Sequence, residues 1–307
     1  MQMQTLIGSL ALCGLLTALS FVAGCESAAR NQVLRLGSSR LMVHVTRAWV
    51  DALKAKSSPL LIELSDSGST LAIQSLIKGE LDAATSSRRM RTDELMDARS
   101  RGFKIEESPI GFLIYTVVVH PSNPITSLTT QQVSDVFSGQ IKSWDEVGGV
   151  KKPIVRVYRR VKPGEYDHFF ERVVHADQKE IPSGSEKVTV VLDKPWEIVQ
   201  RVAADPEAVG YLLTADLGPG LKTLMMKRTP SGAVSQPTVD AALDRSYPLL
   251  RPLYLYVNRA SRQPVTYFRE FVLGDEGREI ARSKGMVPLP KKRGDVDANK
   301  LYEMLSW

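Results

Sequence analysis

Two hydroxyl-rich turns and one arginine supply the residue types from which an oxyanion site can be built. Gly37-Ser38-Ser39 follows a short apolar run and precedes a helical pattern, Ser67-Gly68-Ser69-Thr70 stands ahead of the next helical pattern, and Arg88 follows the run Leu81 to Thr85. An oxyanion taken out of water loses its hydration, so a site for it must return hydrogen bonds from donors fixed before binding. Backbone N–H groups at a helix start, Ser and Thr hydroxyls and an Arg fork all serve, and Arg offers paired bonds that Lys cannot. The same residues have plainer uses. Ser at such positions commonly caps a helix, and a lone Arg commonly lies on the surface.

Other chemistries are poorly supplied. Asp66-Ser67-Gly68-Ser69 looks superficially like an acid–base hydrolytic turn, but that chemistry needs two carboxylates sharing a site, and no second Asp-(Thr/Ser)-Gly occurs. There is no Gly-x-Ser-x-Gly nucleophile elbow. The four His, at positions 44, 120, 168 and 175, show no close metal spacing, and the two Cys are 13 and 25. No catalytic residue, metal or cofactor is expected. Arg293-Gly294-Asp295 is a chance three-residue match in a polar stretch.

Charge and composition agree with an anion-binding task. The 307 residues carry 40 Lys+Arg against 34 Asp+Glu, a net +6 that suits anionic ligands or an anionic membrane surface, with 43% apolar residues, enough for two modest cores or one large one. The basic residues are scattered among acidic ones instead of forming a stripe with interleaved aromatics, so no nucleic-acid partner is expected. No repeat period or low-complexity tract is present.

The first 24 residues have no charge, and Leu6 to Gly24 is an apolar run ending in small residues, which reads as a signal segment over 1–24. Val22-Ala23-Gly24-Cys25 resembles the lipobox of bacterial lipoproteins, which implies acylation of Cys25 and a chain exported to the periplasm or cell surface and anchored to the membrane by lipid. The sequence departs from a usual signal peptide in having no Lys or Arg before the apolar run. Residues 25–32 then form a polar tether.

The elements that must position the donors alternate. Val33 to Gly37 reads as a strand and Leu41 to Leu53 as a helix with apolar residues at 41, 45, 49 and 53. Leu60 to Leu64 reads as a buried strand, Leu71 to Ile77 as a helix ending at Gly79, and Leu81 to Thr85 as another strand. This pace implies βαβ units and a parallel sheet, with ligand contacts at the carboxyl ends of its strands. Two long apolar strands, Ile110 to Val119 and Leu253 to Val257, bracket a central insert. The expected lobes are 33–115 with 251–307, and 116–250.

Several stretches resemble the phosphate-binding components of phosphate ABC importers. They are Leu76-Ile77-Lys78-Gly79-Glu80-Leu81-Asp82-Ala83-Ala84-Thr85-Ser86-Ser87-Arg88, Val136-Phe137-Ser138-Gly139-Gln140-Ile141-Lys142-Ser143-Trp144, Asp205-Pro206-Glu207-Ala208-Val209-Gly210-Tyr211, Tyr247-Pro248-Leu249-Leu250-Arg251-Pro252-Leu253-Tyr254 and Phe271-Val272-Leu273-Gly274-Asp275-Glu276-Gly277. The resemblance implies an α/β, two-lobe type II periplasmic binding protein with two crossover hinge strands. It further implies a monomer without catalysis that captures phosphate or a related oxyanion and delivers it to a transporter permease. Ser39, Ser69 and Arg88 would face the ligand from the first lobe, Arg159 and Gly164 from the second.

The second-lobe motif departs from the family. There an Arg is followed four residues later by Ser-Gly-Thr, whereas Arg159 is followed by Pro163-Gly164-Glu165. Pro removes a hydroxyl and an N–H, and Glu adds an acceptor that repels anions. An altered ligand, or a sensing or docking role, is the alternative that this break motivates. Arg160, Lys162 and His168 stand nearby as possible compensating cations.

Overall fold

The computed structural model describes residues 33–56, 60–160, 169, 188–258 and 263–290. Strand β1 (Val33–Gly37) leads through a turn into helix α1 (Val43–Ala55), whose Val45, Trp49, Val50 and Leu53 form one buried stripe. The helix starts two residues later than the apolar spacing predicts, because the Ser39 carbonyl accepts the Met42 N–H at 2.9 Å and turns the chain first. Strand β2 (Leu61–Ser65), helix α2 (Ser69–Ile77) and the fully buried β3 (Ala83–Ser86) follow. Gly79 ends the α2 segment as expected, at φ 74°.

Helix α3 (Thr92–Ser100) precedes the long strand β4 (Ile105–Val119). β4 begins five residues ahead of the apolar run that announces it. Its polar start is held by side chains: Arg269 donates to Glu106 at 2.5 Å and the Tyr256 hydroxyl donates to Glu107 at 2.8 Å. Then come β5 (Ser127–Thr129), α4 (Thr130–Phe137), β6 (Val155–Arg159), β7 (Thr189–Leu192), α5 (Pro195–Ala203) and β8 (Ala208–Leu213). The chain closes with β9 (Lys222–Thr223), β10 (Met225–Lys227), α6 (Val239–Leu243), β11 (Leu250–Asn258), α7 (Gln263–Leu273), α8 (Asp275–Ser283) and β12 (Val287–Pro288).

These elements form two compact units. The first comprises residues up to Ser86, Met90–Ser108 and Leu255–Gly274, the second Ser87–Arg89, Pro109–Tyr254 and Asp275 onward. By this division β4 is split between Ser108 and Pro109, and β11 between Tyr254 and Leu255. Residues from Asp275 group with the second unit, where Val287 and Pro288 pair with Phe112 and Gly111 of β4.

In the first unit β2, β1 and β3 are parallel, in that order, with Gly37 beside Ser65 on one flank and Ala84 on the other. The strand ends therefore converge on the Ser38-Ser39 turn. An ion-pair brace holds this sheet: Asp82, 8% exposed, accepts from the Arg35 backbone N–H at 2.8 Å and from its guanidinium at 3.1 and 3.2 Å. The Asp82 contact raises the Arg35 pKa.

In the second unit β4 runs antiparallel to β8, and β8, β6 and β7 are parallel. Val117 and Val119 face one core together with Phe137, Trp144, Tyr158, Phe169 and Tyr211, whereas Val118 faces another with Val157, Ile198 and Val202. Phe169 stacks on Tyr211 with ring centroids 3.9 Å apart and planes inclined by 7°. No described helix is long and apolar enough to cross a membrane.

Candidate functional site

The donor turn of the first unit is built from the ends of three strands. The Ser38 N–H donates to the Ser65 carbonyl at the end of β2 (2.8 Å), and the Ser39 N–H donates to the Thr85 carbonyl in β3 (3.0 Å). The Ser38 carbonyl accepts from the Gly68 N–H at 3.0 Å, which ties this turn to the one that opens α2. Both serines are buried, at 0% and 2% exposure. The Ser39 amide is thus committed to the sheet.

Behind that turn lies a cluster of three fully buried hydroxyls. Ser38 Oγ lies 3.1 Å from Thr46 Oγ1 of α1 and 3.1 Å from Thr85 Oγ1 of β3, which are themselves 3.2 Å apart. Ser38 Oγ is also 3.0 Å from the Ser39 carbonyl oxygen. Three hydroxyls linked in this way satisfy one another without water, and they fix the turn against helix and strand alike.

Neither serine of the sequence reading is the cap of its helix. Met42 occupies the N-cap of α1, and Gly68, at φ 85° and ψ 161°, occupies that of α2 with no side-chain cap bond. Ser69 is the first residue of α2. Its place on a helix start, bonded through Gly68 to the Ser38-Ser39 turn, brings the two hydroxyl-rich turns together. Gly68 is required by its positive φ, which a side chain would strain.

Asp82 braces β1, as described above, and Asp66 is exposed. Among the described residues no group of three or more His, Cys, Asp or Glu could hold a metal.

In the second unit, Arg88 directly follows β3 and Ser87 in the chain, is half-buried, and donates to the Arg89 carbonyl at 3.1 Å. Its neighbour Ser87 is held by a residue that spacing alone does not single out. Arg251 of β11, 3% exposed, donates through Nε to the Ser87 carbonyl (3.1 Å), through Nη2 to the Ser87 hydroxyl (2.8 Å) and through Nη1 to the Tyr115 hydroxyl (2.8 Å). A charged residue inside the apolar run Leu249 to Val257 was the sequence signal for this, as a polar Thr46 inside the apolar face of α1 was for the hydroxyl cluster.

Arg159 ends β6 with its side chain exposed. Arg160, a candidate compensating cation, is paired with Asp193 at 2.9 Å on the surface. Gly164, with Lys162, Pro163, Glu165 and His168, lies outside the described residues, as does Cys25.

The Phe-x-Gly-x-Ile-x-x-Trp stretch proves structural. Phe137 and Trp144 are buried, the Trp144 indole N–H donates to the Glu207 carbonyl at 3.1 Å, and Gly139 has φ 79°. Arg156, 5% exposed, donates at 2.5 Å to each of the Val136 and Ile141 carbonyls, and the Tyr158 hydroxyl donates to that of Phe137. Burial pushes the Arg156 pKa down and the Tyr158 pKa up. The second unit also holds a cleft of about 720 Å3 lined by Ser127, Gln132, Lys227 and Arg228 among others; none of the sequence-predicted site residues lines it.

Comparison with known proteins decides the family. Residues 26–276 match the model of the PBP superfamily domain. The phosphate-binding protein PstS of Staphylococcus epidermidis is 30% identical over 253 residues, covering 80% of this chain and 75% of that protein. This chain belongs to the phosphate-binding protein family of the PBP superfamily. The family member PstS of Pseudomonas aeruginosa is 26% identical over 276 residues, 83% of this chain and 82% of that one. The crystal structure of an ABC-type phosphate transport receptor from Vibrio cholerae shares the fold, with a TM-score of 0.71 at 21% identity over 84% of this chain and 100% of its own.

Proposed function

We propose that this protein captures inorganic phosphate, or a closely related oxyanion, outside the cytoplasm and delivers it to an ABC importer. The observation that carries this reading is the Ser38-Ser39 turn: two buried serines, amides anchored to two strands, the Ser38 hydroxyl braced by Thr46 and Thr85, in a chain whose family members are named for phosphate binding. A donor held this rigidly before the ligand arrives loses little entropy on binding. In the proposed site Ser39 and Ser69 supply hydroxyls, Arg88 and Arg159 supply charge, and Gly164 supplies a backbone N–H. Such a site binds and releases its ligand unchanged, so the role is non-enzymatic, and one chain suffices for it. Acylated Cys25 would keep the protein at the membrane beside its permease. Exchange of Cys25 for Ser should release the protein into the soluble fraction of the periplasm or medium; a C25S protein that stays with the membrane speaks against the anchor.

The replacements Pro163 and Glu165 favour one second reading, a binding protein whose ligand has changed or whose task is sensing or docking. Calorimetric titration with phosphate, sulfate, molybdate and arsenate separates the two. Heat with phosphate supports capture for transport, and heat with another oxyanion alone supports the altered ligand.

A further inference from the structure

Arg251 and Arg156 are both buried guanidinium groups with no carboxylate in a close ion pair among the described residues, yet their surroundings differ: the Glu146 carboxylate favours the Arg156 cation from further away. Arg156 donates to Val136 O in the last turn of α4 and to Ile141 O just beyond it, where the helix end carries partial negative charge that offsets the cation. Arg251 has no helix end. Its acceptors are the carbonyl and hydroxyl of Ser87, in a non-helical turn, and the hydroxyl of Tyr115. A buried charge met only by neutral groups is destabilising unless something of opposite sign completes it.

We propose that Arg251 is a positioning residue of the oxyanion site: its fork fixes the Ser87-Arg88 turn, and the bound anion completes its buried charge. This inference rests on the oxyanion-binding reading above. Two donors fall on one residue, one on its backbone and one on its side chain, so Ser87 cannot rotate without breaking a charge-assisted bond. The third donor engages Tyr115, whose ring packs edge-on against Phe169 at 5.5 Å and Tyr211 at 6.4 Å, which ties the turn to the aromatic core. A lysine could supply the charge but not the fork.

The test is phosphate calorimetry together with thermal melting, with and without phosphate, on the full chain and its R251Q, R251K and Y115F variants. Expected are a loss of affinity of roughly a hundredfold in R251Q, about tenfold in R251K and a few-fold in Y115F, ordered by lost charge and lost bonds. Three hydrogen bonds and one buried charge go together in R251Q, and whatever they do to its unliganded melting, the rise in melting temperature caused by phosphate should shrink. A purely structural arginine gives lower melting without ligand, an unchanged rise with phosphate and unchanged affinity in whatever folds. That result, or wild-type affinity in R251Q, overturns the proposal while leaving phosphate capture standing. If R251Q does not fold, wild-type affinity in both R251K and Y115F overturns it equally. A wild type that gives no heat with phosphate removes the capture reading first, and this proposal with it.

Discussion

The donor turn of the first unit and the strand end of the second present opposite pictures of a binding element. At Ser38-Ser39 every backbone group is anchored and the hydroxyl of Ser38 is locked by Thr46 and Thr85, so the turn that carries the proposed Ser39 donor is held by a completed network. At Arg159 the side chain is exposed, its neighbour Arg160 is drawn to Asp193, and the family's Ser and Thr four and six residues on are replaced by Pro163 and Glu165. One half of the proposed cage is preorganised from within. The other depends on a long cation and on residues whose chemistry has moved away from anion binding. Affinity in such a protein should therefore be carried unevenly, with the first unit dominant.

The largest expected effect comes from restoring the weak half. Pro163→Ser combined with Glu165→Thr returns two hydroxyls and a backbone N–H and removes a negative charge; at about 1.5–3 kcal/mol for each bond to a charged, buried ligand, one or two such bonds regained should raise phosphate affinity by tens- to thousands-fold in calorimetry. An unchanged affinity would mean that this segment does not face the ligand. Damage to the strong half comes next. Gly37→Ala places a Cβ 2.6 Å from Leu81 Cδ1 and 2.9 Å from Ala72 Cβ, directly before the donor turn. Overpacking of this kind should cost about 1–3 kcal/mol in urea unfolding and weaken phosphate binding with it.

Ser39→Ala removes a single proposed donor and leaves the Ser38 brace in place, so affinity should fall about tenfold to a hundredfold with little change in unfolding midpoint. A loss of stability without a loss of affinity would assign Ser39 to the framework. Asp82→Asn weakens the brace of β1 one layer further from the ligand. Arg35 is 40% exposed and can rehydrate, so a cost of about 1–2 kcal/mol in stability is expected, with affinity nearly unchanged. Smallest of all is Arg160→Ala. Its pair with Asp193 is more than half exposed on both sides, so less than about 1 kcal/mol should be lost, and phosphate affinity should stay within about twofold.

Much of the first unit could be read before the structure. The run Val33 to Gly37 and the stop at Gly79 follow from apolar patterning and from glycine's tolerance of positive φ. Local pattern failed where tertiary contacts decide. Ile105–Ser108 is too polar to announce a strand, yet Arg269 and Tyr256 satisfy its two carboxylates. Ser69 resembled a helix cap, but Gly68 takes that place because its φ of 85° is closed to serine. Arg251 stood inside a quoted family motif without a role, since burial and the path of its fork are properties of β11 after folding, not of spacing.

The uneven cage is tested most directly by titrating phosphate into the wild-type chain and the Ser39→Ala and Arg159→Ala variants side by side. The account predicts saturable heat in the wild type, a larger loss of affinity for S39A than for R159A, and retained folding in both. Equal or reversed losses would contradict the dominance of the first-unit turn, and a silent wild type would contradict phosphate capture itself.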